Sequence, residues 1–355
     1  MVSAARKALN VPAFAVVMFI LFWSIPVSSL MGTLQFWKFR GYRVDNLGWA
    51  QGVTKVLNIK VRKVGNNELY RGKVMYLLNH RSWADLIVDQ YATAGRGAFL
   101  ARWAVAFVFP AFMGSLIVLK SVFMFRRGHI RDKEQFNRWI DREMAKSPCP
   151  GIAVYPEGHR STRPESLSLK RGMLRYAYSR SLPVQIVHGY NKESILSEKQ
   201  FLARFGQTVA VGYSPVIDSA TFDTFDEFLA VVQSTWDDLW KEVFSVDITK
   251  LPPLDPGAPD LVPSPFYRFM AASLNLTTNF VFIIFSMITY RCASWFYASL
   301  GPAGPFFAAL LAIYVATSLV LTAKPYDALR HRLVKSHHKA APISVNGAAI
   351  SATAR

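Results

Sequence analysis

The sequence predicts an α/β domain, short strands alternating with helices, set between apolar segments long enough to cross a bilayer. Three observations carry this. Five short runs rich in Val, Ile or aromatics are separated by helix-like segments. Residues 11–37 hold no charge. Two more apolar runs, 274–290 and 305–323, follow a Pro-rich stretch.

From the N-terminus, residues 11–37 are long enough to span the roughly 30 Å hydrocarbon core as a helix. Arg6 and Lys7 flank one end and Lys38, Arg40 and Arg43 the other. The run is too long, and its flank too basic and aromatic, for a cleaved signal peptide, so residues 1–45 read as an uncleaved anchor. Pro26 is expected to kink this helix or split it into a re-entrant pair.

Residues 46–250 are the folded domain. Trp49, Ala50, Val53, Val56 and Leu57 recur at helical spacing, and Ile59, Val61 and Val64 read as a strand. Further strands are expected at 73–79, within 116–125, and at 151–155, 183–187 and 207–213. Helices are expected at 85–94, 131–145, 170–179 and 225–243, the last opened by Thr224 and Glu227 in capping-box spacing. Residues 98–125 carry only Arg102 and Lys120 as charges, and read either as a buried helix plus a strand or as a segment in the membrane face.

Six prolines between 251 and 265 mark a linker, since neither a helix nor a central strand tolerates them. Residues 266–323 then form a transmembrane hairpin, its two apolar runs separated by Arg291 and by the turn signals Gly301, Pro302, Gly304 and Pro305. The tail, 324–355, is basic through Lys324, Arg330, Arg332, Lys335 and Lys339 and ends in an Ala/Ser-rich, partly disordered stretch. A basic tail favours the cytosolic side, and a hairpin returns the chain to the side it left, so the folded domain is expected there too.

Composition agrees with a protein partly in lipid: 52% of the 355 residues are hydrophobic and the mean hydropathy is +0.19. The formal charge of +18 favours anionic partners, and with these spans the lipid surface is the natural one. No Lys/Arg run interleaved with aromatics tracks a nucleic-acid strand. Cys149 and Cys292, far apart, form neither a disulfide framework nor a zinc motif.

The chemistry concentrates in two tracts. Asn79, His80, Arg81, Ser82, Trp83, Ala84, Asp85 ends a strand and opens a helix, the junction where α/β sheets present functional groups. With His80 in the turn and Asp85 in the first helical turn, the carboxylate can accept the imidazole Nδ1 proton and leave the other nitrogen as a base for a substrate hydroxyl. The bland alternative is a helix cap by Asp85 beside an incidental histidine. The tract Tyr155, Pro156, Glu157, Gly158, His159, Arg160, Ser161 also follows an apolar strand and puts an acid, a Gly turn and a guanidinium together. It reads either as an anion site or as a surface turn with a Glu/Arg pair.

Together the tracts resemble the signatures of the glycerolipid acyltransferase superfamily, which includes the PlsC-like 1-acylglycerol-3-phosphate acyltransferases. The block Asn-His-x-x-x-x-Asp is followed roughly 70 residues on by Tyr-Pro-Glu-Gly-x-Arg. The family's Phe-x-x-Arg block resembles Phe123, Met124, Phe125, Arg126, with Arg127 an equal occupant that has Asp132 as a partner. Its Pro-containing apolar strand resembles Leu182 to Val187. The likeness covers about 73–190, and departs from the pattern at His159, where Thr is usual, at His188, where a second Pro is frequent, and at the doubled arginine.

The resemblance implies a mixed central sheet flanked by helices and direct acyl transfer without an acyl-enzyme, His80 acting as base and Asp85 orienting it. Glu157, Gly158 and Arg160, with Arg126 or Arg127, are then the substrate-binding residues, and amides near Gly158 are oxyanion donors. Residues 98–112 are placed to receive the acyl chain. It implies no cofactor and no metal, acyl-CoA as co-substrate, membrane lipids around it, and a lysophospholipid acceptor. Lysophosphatidic acid leads. Lysophosphatidylinositol or lysocardiolipin, a CoA-independent transacylase, and a non-catalytic lipid-binding scaffold are the alternatives. For a eukaryotic source the expected place is the endoplasmic reticulum membrane.

Overall fold

The computed structural model describes residues 4–37, 46–103, 120–126, 132–257 and 265–323. Two buried clusters sandwich a seven-stranded sheet. The strands are β1 (Lys60–Val64), β2 (Met75–Leu78), β3 (Gly97–Arg102), β4 (Val122–Phe125), β5 (Gly151–Val154), β6 (Val184–Tyr190) and β9 (Thr208–Tyr213), in spatial order β1-β9-β6-β2-β5-β3-β4. A two-stranded hairpin, β7 (Leu196–Ser197) with β8 (Leu202–Ala203), lies outside it. Strands β6, β2, β5, β3 and β4 are mutually parallel; β9 runs antiparallel to β6, and β1 parallel to β9. The sheet is mixed.

Continuous apolar strands such as Met75-Tyr76-Leu77-Leu78 are what a sheet covered on both faces requires. Tyr76 and Leu78 pack to one side with residues of α2 (Asn46–Val56) and α3 (Asp85–Ala92). Met75 and Leu77 pack to the other with α4 (Lys133–Lys146), α5 (Arg171–Ser179) and α6 (Phe225–Ser245). The expected capping box forms: Thr224 Oγ1 accepts from Glu227 N at 3.3 Å, and Thr224 N donates to Glu227 Oε2 at 3.3 Å.

Several expectations change. Residues 97–102 are a strand, with no helix there; β3 pairs with both β4 and β5, so the start of the apolar segment is sheet core. Pro26 does not break α1 (Ala4–Trp37), which runs as one helix. The Pro-rich segment begins on the sheet: Lys63 N donates to Pro252 O and Leu254 N to Val61 O, both at 2.9 Å, so residues 252–254 line the edge strand β1. This covers one exposed edge.

Among the described residues three helices are long and apolar enough to cross a membrane, over Lys7–Ser24, Ala272–Ser299 and Gly301–Thr322. The hairpin is α7 (Pro265–Ser299), which continues past Arg291, and α8 (Gly304–Thr322). Its surface exposes Phe280, Ile283, Trp295, Phe306, Leu311 and Val320, an apolar area far beyond what a soluble surface carries. Helix α1 also joins the domain: Val17 and Leu21 are buried in the cluster that holds Leu196 and Ala203, and Ala13 N donates to Ser318 Oγ of α8 at 3.0 Å. The basic residues 38–45 and 324–355 lie outside the described chain.

Candidate active site

Because β2, β3, β4, β5 and β6 are parallel, their C-terminal ends share one edge, and the segments leaving them carry the signature residues there. His80 follows β2, Arg102 ends β3, Arg126 follows β4, Glu157 and Gly158 follow β5, and Lys192 follows β6.

His80 Nδ1 lies 2.6 Å from Asp85 Oδ2. The same oxygen accepts from Arg81 N at 2.6 Å and Ser82 N at 3.0 Å. Asp85 is therefore turned back onto the histidine turn and does not cap α3, which has no side-chain cap. With Nδ1 committed to a carboxylate, the neutral imidazole carries its proton on Nδ1 and keeps a lone pair on Nε2. Nε2 makes no hydrogen bond among the described residues, and the side chain is 26% exposed, enough to meet a substrate.

The tract after β5 holds the histidine on its other sides. The Tyr155 ring stacks on the imidazole, centroids 4.1 Å apart and planes 18° apart. His80 N donates to Glu157 Oε2 at 3.3 Å, and Ser161 N donates to His80 O at 2.9 Å. Glu157 thus points inward, at the backbone of His80. Burial pushes its carboxyl up to about 7 against the pull of the His80 amide and of Arg81. Gly158 has φ +75°, and a Cβ there would press Lys170 Cγ at 3.3 Å, so glycine fits the turn. Its own N–H is used by Tyr155 O at 3.1 Å, so this amide is not a spare oxyanion donor.

The cations are placed unequally. Arg160 pairs with Glu198 at 2.6 Å, beside the β7–β8 hairpin. Arg126 is exposed one residue past the β3–β4 pair Arg102↔Phe125. Arg102, not singled out in the sequence, donates from Nη2 to Gly158 O at 3.2 Å and brings the β3 end to the site. Arg127 and most of 98–112 lie outside the described residues; Asp132, its expected partner, caps α4 by accepting from Glu134 N at 2.8 Å. His188 is a core residue: wholly buried, it donates from Nε2 to Trp236 O at 3.0 Å, and burial lowers it to about 3.

Behind the dyad lies a charged layer that no sequence motif announced. Lys192 opens a 3-10 turn, Lys192–Ser194, and is 0% exposed. Its Nζ donates to Asn79 O at 2.7 Å and to Asp89 Oδ1 at 2.9 Å, and lies 3.4 Å from Asp85 Oδ1. Tyr155 Oη donates to Asp89 Oδ2 at 2.9 Å. Burial alone would raise Asp85, but Lys192, His80 and the Arg81 amide outweigh it and hold the carboxylate below its usual range. Asp89 goes the other way, pushed up to about 7 by burial, Lys192 opposing and Asp85 adding. Beside it Arg81 forms a buried pair with Glu193, Nη2 to Oε1 at 2.5 Å, beneath Trp240 and Phe244.

A base with a free lone pair at a strand end, oriented by a carboxylate, can take a proton from a hydroxyl. The two cysteines offer no nucleophile here. Cys149 is buried before β5 and bonded to Gly95 O, at the opposite edge, and Cys292 lies on α7. The stretch that holds the site, residues 60–187, matches the family model described as Acyltransferase. Residues 60–187 form an acyltransferase domain. The acyltransferase is similar in fold to the 1-acyl-sn-glycerophosphate acyltransferase PlsC from Thermotoga maritima. The two share 18% identity and a TM-score of 0.50, over 68% of this chain and 98% of that one. No curated protein matches the acyltransferase.

Proposed function

We propose that this acyltransferase moves a fatty acyl group from acyl-CoA to the free hydroxyl of a lysophospholipid, with lysophosphatidic acid the leading acceptor and phosphatidic acid the product. The observation that carries the reading is the 2.6 Å contact of His80 Nδ1 with Asp85, which leaves Nε2 free. In the step this supports, the acceptor hydroxyl oxygen attacks the thioester carbon while Nε2 takes its proton. The tetrahedral intermediate collapses, the C–S bond breaks, and the proton passes from the imidazolium to the departing CoA thiolate. Asp85 stabilises the imidazolium between the two transfers. No covalent enzyme intermediate is needed.

Arg126, with Arg127 next in sequence and Arg102 beside it, is assigned to the acceptor phosphate, which a guanidinium binds bidentately. Arg160 joins them if the phosphate competes with Glu198 for it. Glu157 is assigned to holding His80, since a carboxylate repels an anionic head group. The apolar hairpin and α1 would keep the site at the lipid surface, on the cytosolic side and, in a eukaryote, at the endoplasmic reticulum. The likeness in fold to PlsC, a 1-acyl-sn-glycerophosphate acyltransferase, supports lysophosphatidic acid over other acceptors.

The test is acyl transfer by purified protein, from labelled acyl-CoA or labelled phospholipid, to lysophosphatidic acid, lysophosphatidylinositol and lysocardiolipin. The reading expects acyl-CoA as donor and lysophosphatidic acid as preferred acceptor. Transfer from phospholipid alone would replace it with a transacylase.

A further inference from the structure

Lys192 belongs to neither signature tract, yet its Nζ lies 3.4 Å from Asp85 Oδ1 of the dyad. An ammonium with no exposure is costly unless paired, and one carboxylate would pair it. Lys192 instead stands between two. It donates to both Asp89 oxygens, at 2.9 and 3.1 Å, and faces Asp85 Oδ1 at 3.4 Å. Asp85 Oδ1 has no hydrogen-bond partner, so Lys192 is the group on that side of the carboxylate while Oδ2 serves His80. The contacts close a ring: His80 to Asp85, Asp85 to Lys192, Lys192 to Asp89, Asp89 to Tyr155, and Tyr155 stacked back on His80.

We propose that Lys192 is a positioning residue for acyl transfer: it fixes the Asp85 carboxylate with Oδ2 toward His80. The proposal rests on the acyl-transfer reading above. The geometry explains why the lysine sits on the turn directly after β6, next to β2 in the sheet: that strand end is the neighbour of the one that carries His80. Asn79 fixes the same junction, exchanging hydrogen bonds with Gly189 at 2.9 and 2.8 Å. Among the described residues, the charged and titratable groups around His80 are then Asp85 from α3, Tyr155 and Glu157 from the tract after β5, and Lys192 from the turn after β6. Arg81, next in the chain, is turned to Glu193.

A merely structural lysine and a positioning one differ in the direction in which two substitutions move His80. In Lys192→Met the imidazole loses a nearby cation and should hold its proton to higher pH. In Asp89→Asn the lysine's charge is less offset, and the proton should leave at lower pH. The experiment uses the full chain in detergent and reads two quantities: the acid limb of kcat/KM for acyl transfer, and the midpoint of the His80 ring-proton resonance, identified by its absence in His80→Ala. The expected result is shifts of opposite sign, each about half a pH unit or more, with kcat of Lys192→Met lower by about tenfold or more and KM within about twofold. Where Lys192→Met does not fold, Lys192→Met/Asp89→Asn, which removes one charge of each sign, is read in its place and should show the same loss of kcat. Folded single variants with unmoved midpoints, single-variant midpoints moved in the same direction, or a folded double variant with wild-type kcat would overturn the proposal. The resonance needs no turnover, so if the wild-type protein transfers no acyl group, opposite shifts still support the Lys192 role while the functional reading alone fails.

Discussion

The phenol ring of Tyr155 lies nearly flat on the imidazole of His80, centroids 4.1 Å apart, while its hydroxyl reaches past the histidine to Asp89 at 2.9 Å. One residue thus fixes the plane of the base and ties it to the charged layer beneath. Tyr155→Phe keeps the stack and loses the hydrogen bond, and is expected to cost about 1 kcal/mol of stability with kcat close to wild type. Tyr155→Ala frees the ring, and kcat should fall about tenfold with little change in KM, the mark of a misoriented base. Steady-state kinetics and chemical denaturation of the two variants separate these effects.

Glu157 makes stability depend on pH. Its folded value, about 7, lies above the ordinary 4.5, so the folded state binds the proton more tightly than the unfolded state. Its stabilising contribution is full below about pH 4.5 and is lost as pH rises toward 7. Glu157→Gln removes this dependence and keeps an acceptor for the His80 amide. The difference in Tm, variant minus wild type, should therefore grow between pH 5 and 8, by on the order of 5 °C. A constant difference across that range would contradict the assignment.

Arg81 and Glu193 are 2% and 4% exposed, so neither charge has water to fall back on. Arg81→Met or Glu193→Gln alone should cost about 3–5 kcal/mol, because each leaves the other partner charged and buried. The double variant should recover a large part of that loss. Denaturation of the three variants in detergent gives the coupling, and simple additivity would show that the pair is not the cause.

The hairpin is expected to sit in lipid. Trp295 on α7 is 73% exposed, whereas Trp236 is fully buried in the domain. In vesicles containing brominated acyl chains, Trp295→Phe should remove part of the fluorescence quenching and Trp236→Phe should not. Equal quenching losses would place the hairpin outside the bilayer.

Much of this was readable from the sequence wherever the signal was local. His80 and Asp85 are five residues apart across a strand-to-helix junction, so their contact needs only a turn, and the capping box at Thr224 is likewise a matter of four adjacent residues. Strand β3 was hidden because Gly97–Arg102 opens a longer apolar run whose period favours neither state, and only its pairing with β4 and β5 decides it. Lys192 was hidden for another reason. Lysine is ordinarily a surface residue, and the charged tract Asn191-Lys192-Glu193-Ser194 reads as a solvent loop, while its partners Asp85 and Asp89 are more than a hundred residues away. The one local clue is an asparagine, Asn191, directly after the strand-like run Val184–Tyr190; in the structure it takes φ 67°, and Lys192, Glu193 and Ser194 after it are buried. The backbone pairing of residues 252–254 with β1 leaves no trace in composition, so prolines alone mark this stretch as a linker.

The central claim is that His80 Nε2 takes the proton of the acceptor hydroxyl. Its most direct test is acyl transfer from labelled acyl-CoA to lysophosphatidic acid by wild-type and His80→Ala protein, with folding of both verified by their thermal transitions. The account predicts kcat lower by about 10²–10⁴-fold in His80→Ala with acceptor binding kept; transfer at the wild-type rate by a folded His80→Ala protein would contradict it.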